Sequence, residues 1–168
     1  MKLKIAGIPI GWLLGNKQPQ VGDQLPDFTV KNAENEKVTN LDFGSNLVLI
    51  SVVPSLKTKV CSLETAHFNH VASRFAGVKF ITISNDPVAL QKNWCAAHGI
   101  DNIEILSDSD GSFGKATHLH IPLFNHLARV VYLVDQNGKI IYYQLVEEVT
   151  KQPNYKPILS EIKKIINQ

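Results

Sequence analysis

The chain has 168 residues, 44% of them hydrophobic and 19% charged, which suits one globular domain with a sizeable core and excludes a disordered chain. Its 17 basic and 15 acidic residues leave a net charge of +2, too balanced for a nucleic-acid or membrane-surface binder. Two cysteines are too few for a secreted disulfide scaffold but enough for one redox pair, although a bare count fits two unrelated buried thiols more often.

Leu3 and Ile5, then Ile8, Ile10 and Trp12, alternate around Gly7. Pro9 and two glycines interrupt this apolar stretch, which predicts an N-terminal β-hairpin rather than an export signal, and a cytoplasmic location. No apolar run approaches the roughly 18 residues of a membrane span. Val21 to Asp27 is turn-rich and leads to a short strand at Phe28-Thr29-Val30, followed by a polar turn at Glu34-Asn35-Glu36. Leu47 to Val53 is almost continuously apolar and rich in β-branched residues, which predicts a central strand buried on both faces and ended by Pro54.

A helix is expected from Thr58 to about Ala76. Leu63, Phe68, Val71 and Phe75 form its apolar stripe, Glu64, His67, Asn69 and Arg74 lie off it, and Gly77 is the stop signal. Val78 to Ser84 is the next strand and completes a βαβ unit. Pro87 to His98 follows as a helix, with Asp86 as its cap and Gly99 closing it. A short strand at Ile103 to Leu106 and a short helix at Ser112 to Thr117 come next. Ala128 to Val134 and Lys139 to Leu145 flank the hairpin signal Asn137-Gly138, and a helix from Tyr155 to Ile166 is the final element. This order predicts an α/β fold with one mixed central sheet and helices on both faces.

Cys61 stands shortly after the buried strand, at the expected helix start. Unpaired backbone N–H groups and the positive end of the helix dipole favour thiolate over thiol there, and the thiolate is the attacking form. Thr58, three residues earlier, can meet Cys61 on a helical turn, and its hydroxyl can both accept and donate. Pro54 can wall a pocket from water. Lys57 and Lys59 add positive charge, or are simply solvated. A helix start with an incidental Thr and Cys would carry the same short spacing.

The segment Pro54-Ser55-Leu56-Lys57-Thr58-Lys59-Val60-Cys61 resembles the active-site motif of the peroxiredoxins and, with Val52-Val53 before it, is similar to their thiol peroxidase subfamily. Further family segments are resembled by Val21-Gly22-Asp23 with Pro26 to Thr29, by Ser84-Asn85-Asp86 with Gln91 and Cys95, by Leu127 to Val131, and by Leu145 to Thr150 with Pro153-Asn154-Tyr155. They occur in family order over nearly the whole chain. The resemblance implies a thioredoxin-like fold, a single domain over 1–168, a homodimer, and thioredoxin as electron donor. It implies Cys61 as the peroxidatic nucleophile, Cys95 as the resolving cysteine, Thr58 and Arg129 as the residues that position and polarise the peroxide, and Pro54 as a shield. The implied activity is reduction of hydrogen peroxide and alkyl hydroperoxides to water and alcohols, through a Cys61 sulfenic acid and a Cys61–Cys95 disulfide, without cofactor or metal.

Three departures bear on the pocket. Lys57 stands where the family usually has Asp, Ala89 where it has an aromatic, and the stretch from Lys115 to Asn125 is shorter than the family's loop. Arg74 reads as a solvated helix residue and Trp94 as core packing or a fluorescent reporter of oxidation. His67 with His70, and His118, His120 and His126, lack a recognisable metal-ligand spacing. A disulfide needs Cα atoms within roughly 7 Å, so local unfolding around the cysteines is expected on oxidation. Two other functions fit the same residues: a non-catalytic module in which both cysteines merely pack, and a peroxide sensor that passes its oxidation to a client protein.

Overall fold

The computed structural model describes residues 3–44 and 47–167; residues 1, 2, 45, 46 and 168 of the expected single domain lie outside the described residues. Two short strands, β1 (Lys4–Ile5) and β2 (Ile8–Pro9), pair antiparallel as the predicted hairpin. The second strand stops at Pro9 instead of reaching Trp12, because Gly11–Leu13 winds into a 3-10 turn that leaves Trp12 79% exposed. There follow β3 (Thr29–Lys31), β4 (Lys37–Thr39), β5 (Leu47–Val52), α1 (Lys59–Ala72), β6 (Val78–Ser84), α2 (Val88–His98) and β7 (Glu104–Ser107). The chain continues through α3 (Ser112–Thr117), β8 (His120–Ile121), β9 (His126–Leu127), β10 (Val130–Val134), β11 (Ile140–Leu145) and α4 (Tyr155–Ile166).

The main sheet has the order β11-β10-β5-β6-β7-β3-β4. Its centre, β5-β6-β7, is parallel, and the strands on either side pair antiparallel, so the sheet is mixed as the element order predicts. Side chains alternate across a strand, and both faces of β5 are covered. Val48, Ile50 and Val52 pack with Phe28, Phe113, Val130 and Tyr132 on one side, whereas Leu49 packs with Phe68, Val71, Phe80, Leu133, Ile158 and Ile162 on the other. The helices α1 and α4 therefore cover one face and α3 the other, which is why β5 reads as an unbroken apolar run. A smaller cluster of Val53, Leu56, Cys61, Trp94 and Ile105 sits at the carboxyl end of β5.

Three local readings are corrected. The first helix ends at Ala72 rather than Ala76; Ser73 caps it, and Gly77 lies in the turn that follows. On that helix Leu63 is exposed and Glu64 fully buried, the reverse of the predicted stripe, because a buried charged partner awaits Glu64. Asp86 does not cap α2, whose cap is Pro87 without a side-chain bond. The Asp86 carboxylate is claimed elsewhere: it accepts from the Ser55 hydroxyl at 2.7 Å, the Leu56 N–H at 2.8 Å and the Ser84 hydroxyl at 2.8 Å. It thereby ties the loop before α1 to the end of β6.

Candidate active site

Cys61 occupies the first turn of α1, and Thr58 caps that turn. The Thr58 hydroxyl accepts the Cys61 backbone N–H at 3.3 Å and donates to the Ser55 carbonyl at 3.1 Å. This satisfies one of the orphan donors of the helix start and fixes the cysteine backbone. The Cys61 side chain is fully buried.

Arg129 stands immediately before β10 and is 1% exposed. Its Nη1 donates to Glu64 Oε2 at 2.7 Å and its Nη2 to the Val149 carbonyl at 2.9 Å. The other Glu64 oxygen accepts the Ser51 hydroxyl of β5 at 2.9 Å. Arg129 Nε is buried and has no hydrogen-bond partner among the described residues. Burial pushes the Glu64 carboxyl up, against the pull of Arg129 and Ser51. Burial would lower the guanidinium, but the Cys61 sulfur and the Glu64 carboxylate outweigh it and hold Arg129 above its ordinary value. Arg129 thus keeps its positive charge within electrostatic reach of the Cys61 sulfur in a water-poor setting, where such interactions are strong.

A mostly apolar cavity of about 220 Å³ opens beside these groups. Pro54, Thr58, Val60 and Arg129 line one part, and Ile121, Phe124, His126 and Leu127 of the β8–β9 hairpin line another. Ile5 and Ile10 of the N-terminal segment, with Val149 and Thr150, complete the wall. Glu148 joins these two distant segments. Its carboxylate accepts the Ala6 N–H at 3.0 Å and the Gly7 N–H at 2.6 Å, and also the Thr150 N–H at 3.2 Å and hydroxyl at 2.9 Å. The Gly7 N–H is the main reason why the Glu148 carboxyl is held down at about 2.

Cys95 lies in the last turn of α2, half-buried at the edge of the cluster that contains Cys61. Both cysteines are free thiols, and burial pushes the Cys95 thiol above its ordinary value. Trp94 is packed in that same cluster, in keeping with the core reading of this residue.

The structure therefore sets Pro54, Thr58 and Arg129 around one cavity, ties the buried Cys61 to the Thr58 hydroxyl, and sets Cys95 on the neighbouring helix. Of the residues that depart from the resembled motifs, Lys57 and Ala89 are exposed. The 115–125 stretch forms the end of α3 and the β8–β9 hairpin, reaching the cavity through Ile121 and Phe124. Arg74 is exposed, as expected. His67 packs against Tyr155 with ring centroids 3.9 Å apart and planes tilted by 35°, and burial holds its imidazole below the usual value. Among the described residues, no three His, Cys, Asp or Glu side chains are grouped to hold a metal. No helix of the described residues is long and apolar enough to cross a membrane.

Sequence reasoning missed Glu64, Ser51 and Glu148. Ser51 had left a signal, as the one hydroxyl inside the apolar run of β5, since a buried hydroxyl requires a partner.

The redoxin family model matches residues 20–159. The thiol peroxidase of Bacillus subtilis (strain 168) is 44% identical over 147 residues, which cover 86% of this chain and 88% of that protein. The crystal structure of a peroxiredoxin-like protein from Aquifex aeolicus superposes with a TM-score of 0.84 at 31% identity, over 97% of this chain and 96% of the other. The thiol peroxidase from Chromobacterium violaceum superposes with a TM-score of 0.88 over 99% of this chain and 97% of the other, and at 19% identity this likeness shows the fold, the expected thioredoxin-like peroxiredoxin arrangement.

Proposed function

The chain belongs to the redoxin family and, within it, to the thiol peroxidases, oxidoreductases that act on peroxide; from that membership we propose that Cys61 is the peroxidatic nucleophile and Cys95 the cysteine that resolves it. The observation that carries the reading is that Thr58, which accepts the backbone N–H of the buried Cys61, and Arg129 line one mostly apolar cavity.

The Cys61 thiolate attacks one peroxide oxygen. A sulfur–oxygen bond forms, the oxygen–oxygen bond breaks, and the departing oxygen takes a proton to leave as water or an alcohol. Negative charge grows on that oxygen. The buried Nε–H of Arg129, which has no hydrogen-bond partner among the described residues, and the N–H groups of the α1 start supply preorganised donors for it. Thr58 holds the backbone of Cys61 in place, and Pro54 narrows access for water. The apolar wall suits the carbon chain of an organic hydroperoxide as well as hydrogen peroxide. The Cys95 sulfur then bonds to the sulfenic sulfur of Cys61 with loss of water, and thioredoxin reduces the disulfide by exchange. We take the working unit to be a homodimer, for which Leu123, exposed on the hairpin beside the cavity, offers apolar surface. A cycling thiol pair suits the reducing cytoplasm, where the enzyme would serve antioxidant defence.

A thioredoxin-coupled peroxidase assay tests the reading. The wild type should turn over, Cys61→Ser should be inactive, and Cys95→Ser should give one stoichiometric oxidation without recycling. Oxidation of Cys61 without turnover in the wild type would replace the enzyme by a sensor. No oxidation would leave two packing cysteines.

A further inference from the structure

The residue after Cys61 and the residue before Cys95 are bonded to each other: the Trp94 indole N–H donates to the Ser62 hydroxyl at 3.2 Å. Neither has a role in the chemistry above. We propose that this bond is a latch that keeps the Cys95 helix closed against the Cys61 helix and so sets how long the Cys61 sulfenic acid persists before the disulfide forms. The inference rests on the reading of Cys95 as the resolving cysteine.

Helix geometry shows why the latch opposes resolution. Successive residues of an α-helix are turned by about 100° from one another. With Trp94 directed at Ser62 of α1, Cys95 is rotated away to the edge of the cluster. The burial agrees, since Trp94 is 9% exposed whereas Cys95 is only half-buried. In the latch reading, a rotation of α2 or an unwinding of its last turn brings the Cys95 sulfur onto that of Cys61. Among the described residues, that turn has no side-chain hydrogen bond to another element. It ends at Gly99, a left-handed cap whose N–H donates to the Cys95 carbonyl. It is pinned to Trp94 instead: the His98 ring stacks on the indole with centroids 4.4 Å apart, and His98 Nδ1 lies 2.8 Å from the Trp94 carbonyl. Ser62 thus holds Trp94, and Trp94 holds the turn that carries Cys95. The sulfenic acid waits for this assembly to release, and a second peroxide can oxidise it to the sulfinic acid meanwhile. Release lets the Cys61–Cys95 bond form with loss of water.

Ser62→Ala removes the acceptor, and Trp94→Phe removes the donor while keeping an aromatic ring. Each is mixed rapidly with hydrogen peroxide, quenched with a thiol-blocking reagent and resolved by mass spectrometry into thiol, sulfinic and disulfide forms. Both variants are expected to oxidise Cys61 at the wild-type rate and to form the disulfide roughly threefold to tenfold faster, the span of one neutral hydrogen bond. The sulfinic fraction at high peroxide should fall in step, and the double variant should be no faster than the faster single one, because the same bond is removed only once. A wild-type Trp12→Phe background leaves Trp94 as the only indole, and its fluorescence should change with disulfide formation rather than with Cys61 oxidation. Disulfide formation at or below the wild-type rate in both single variants overturns the latch alone. A wild type that consumes peroxide without forming the Cys61–Cys95 disulfide overturns the resolving role and the latch together.

Discussion

Glu64 and Arg129 meet at 2.7 Å with both side chains almost wholly cut off from solvent. Removing one partner of such a pair leaves the other charge buried alone, at a cost of about 3–5 kcal/mol, whereas replacing both by apolar groups is often neutral. Glu64→Gln is therefore expected to lower the unfolding free energy by roughly 3 kcal/mol in urea titration and to slow Cys61 oxidation. Glu64→Leu combined with Arg129→Met should recover most of the stability and none of the peroxidase activity. Activity retained in that double variant would remove Arg129 from the reaction.

Thr58 accepts from the Cys61 backbone and donates to the Ser55 carbonyl through a single hydroxyl. Thr58→Val keeps the shape and loses both bonds, with an expected stability loss of about 1 kcal/mol from the lost helix cap and a marked fall in the rate of peroxide attack. Thr58→Ser should restore both. Failure of serine to rescue the rate would mean that the methyl group, rather than the hydroxyl, matters at this position.

The parts of the fold that obey local rules were legible. Leu47 to Val53 announced a strand buried on two faces, and the stretch from Thr58 announced a helix with Cys61 near its start, though not that Thr58 caps it. What failed depended on partners distant in sequence. Glu64 reads as a solvent-facing helix residue until Arg129, 65 positions away, is brought against it. Asp86 stands where a helix cap belongs, yet the loop at Ser55 and Leu56, about 30 positions earlier, claims its oxygens. The edge strand β4 (Lys37–Thr39) is short, lies in a polar stretch and carries no periodic signal. In the site, the resemblance supplied Arg129 and Cys95, whereas spacing alone reached Thr58, Cys61 and Pro54.

Glu148 binds the β1–β2 turn through its carboxylate, which stays ionised down to about 2. A carboxyl whose folded value lies below its ordinary 4.5 contributes stability that is present above 4.5 and is lost as pH falls towards 2. The wild-type melting temperature should therefore drop across that acid window more steeply than that of Glu148→Gln. Parallel curves for the two proteins would show that the clamp adds nothing to folding. Because Ile5, at the start of that turn, lines the cavity, Glu148→Gln should raise KM for bulky hydroperoxides more than for hydrogen peroxide.

Burial raises the Cys95 thiol, so the folded state favours its protonated form. That contribution is present below the ordinary thiol value and is lost as pH rises through the raised one. In a Cys61→Ser background, alkylation of Cys95 should accelerate with pH only above the ordinary thiol range, and the profile should return to normal in urea. An ordinary profile in the folded protein would mean that the last turn of α2 is already open before oxidation.

The wall of the cavity is drawn from opposite extremes of the chain: Ile5 and Ile10 line it with Val149 and Thr150, and Ala6 and Gly7 beside them meet Glu148 across 142 and 141 positions. Such remote pairings form late, because the loop they close is long. During synthesis the Cys61 helix is made well before the segment that finishes its chamber, so a nascent chain carries the sulfur without its enclosure. Enclosure therefore waits for residues 146–150 to dock, and a polypeptide interrupted before that point would carry the Cys61 sulfur without this wall.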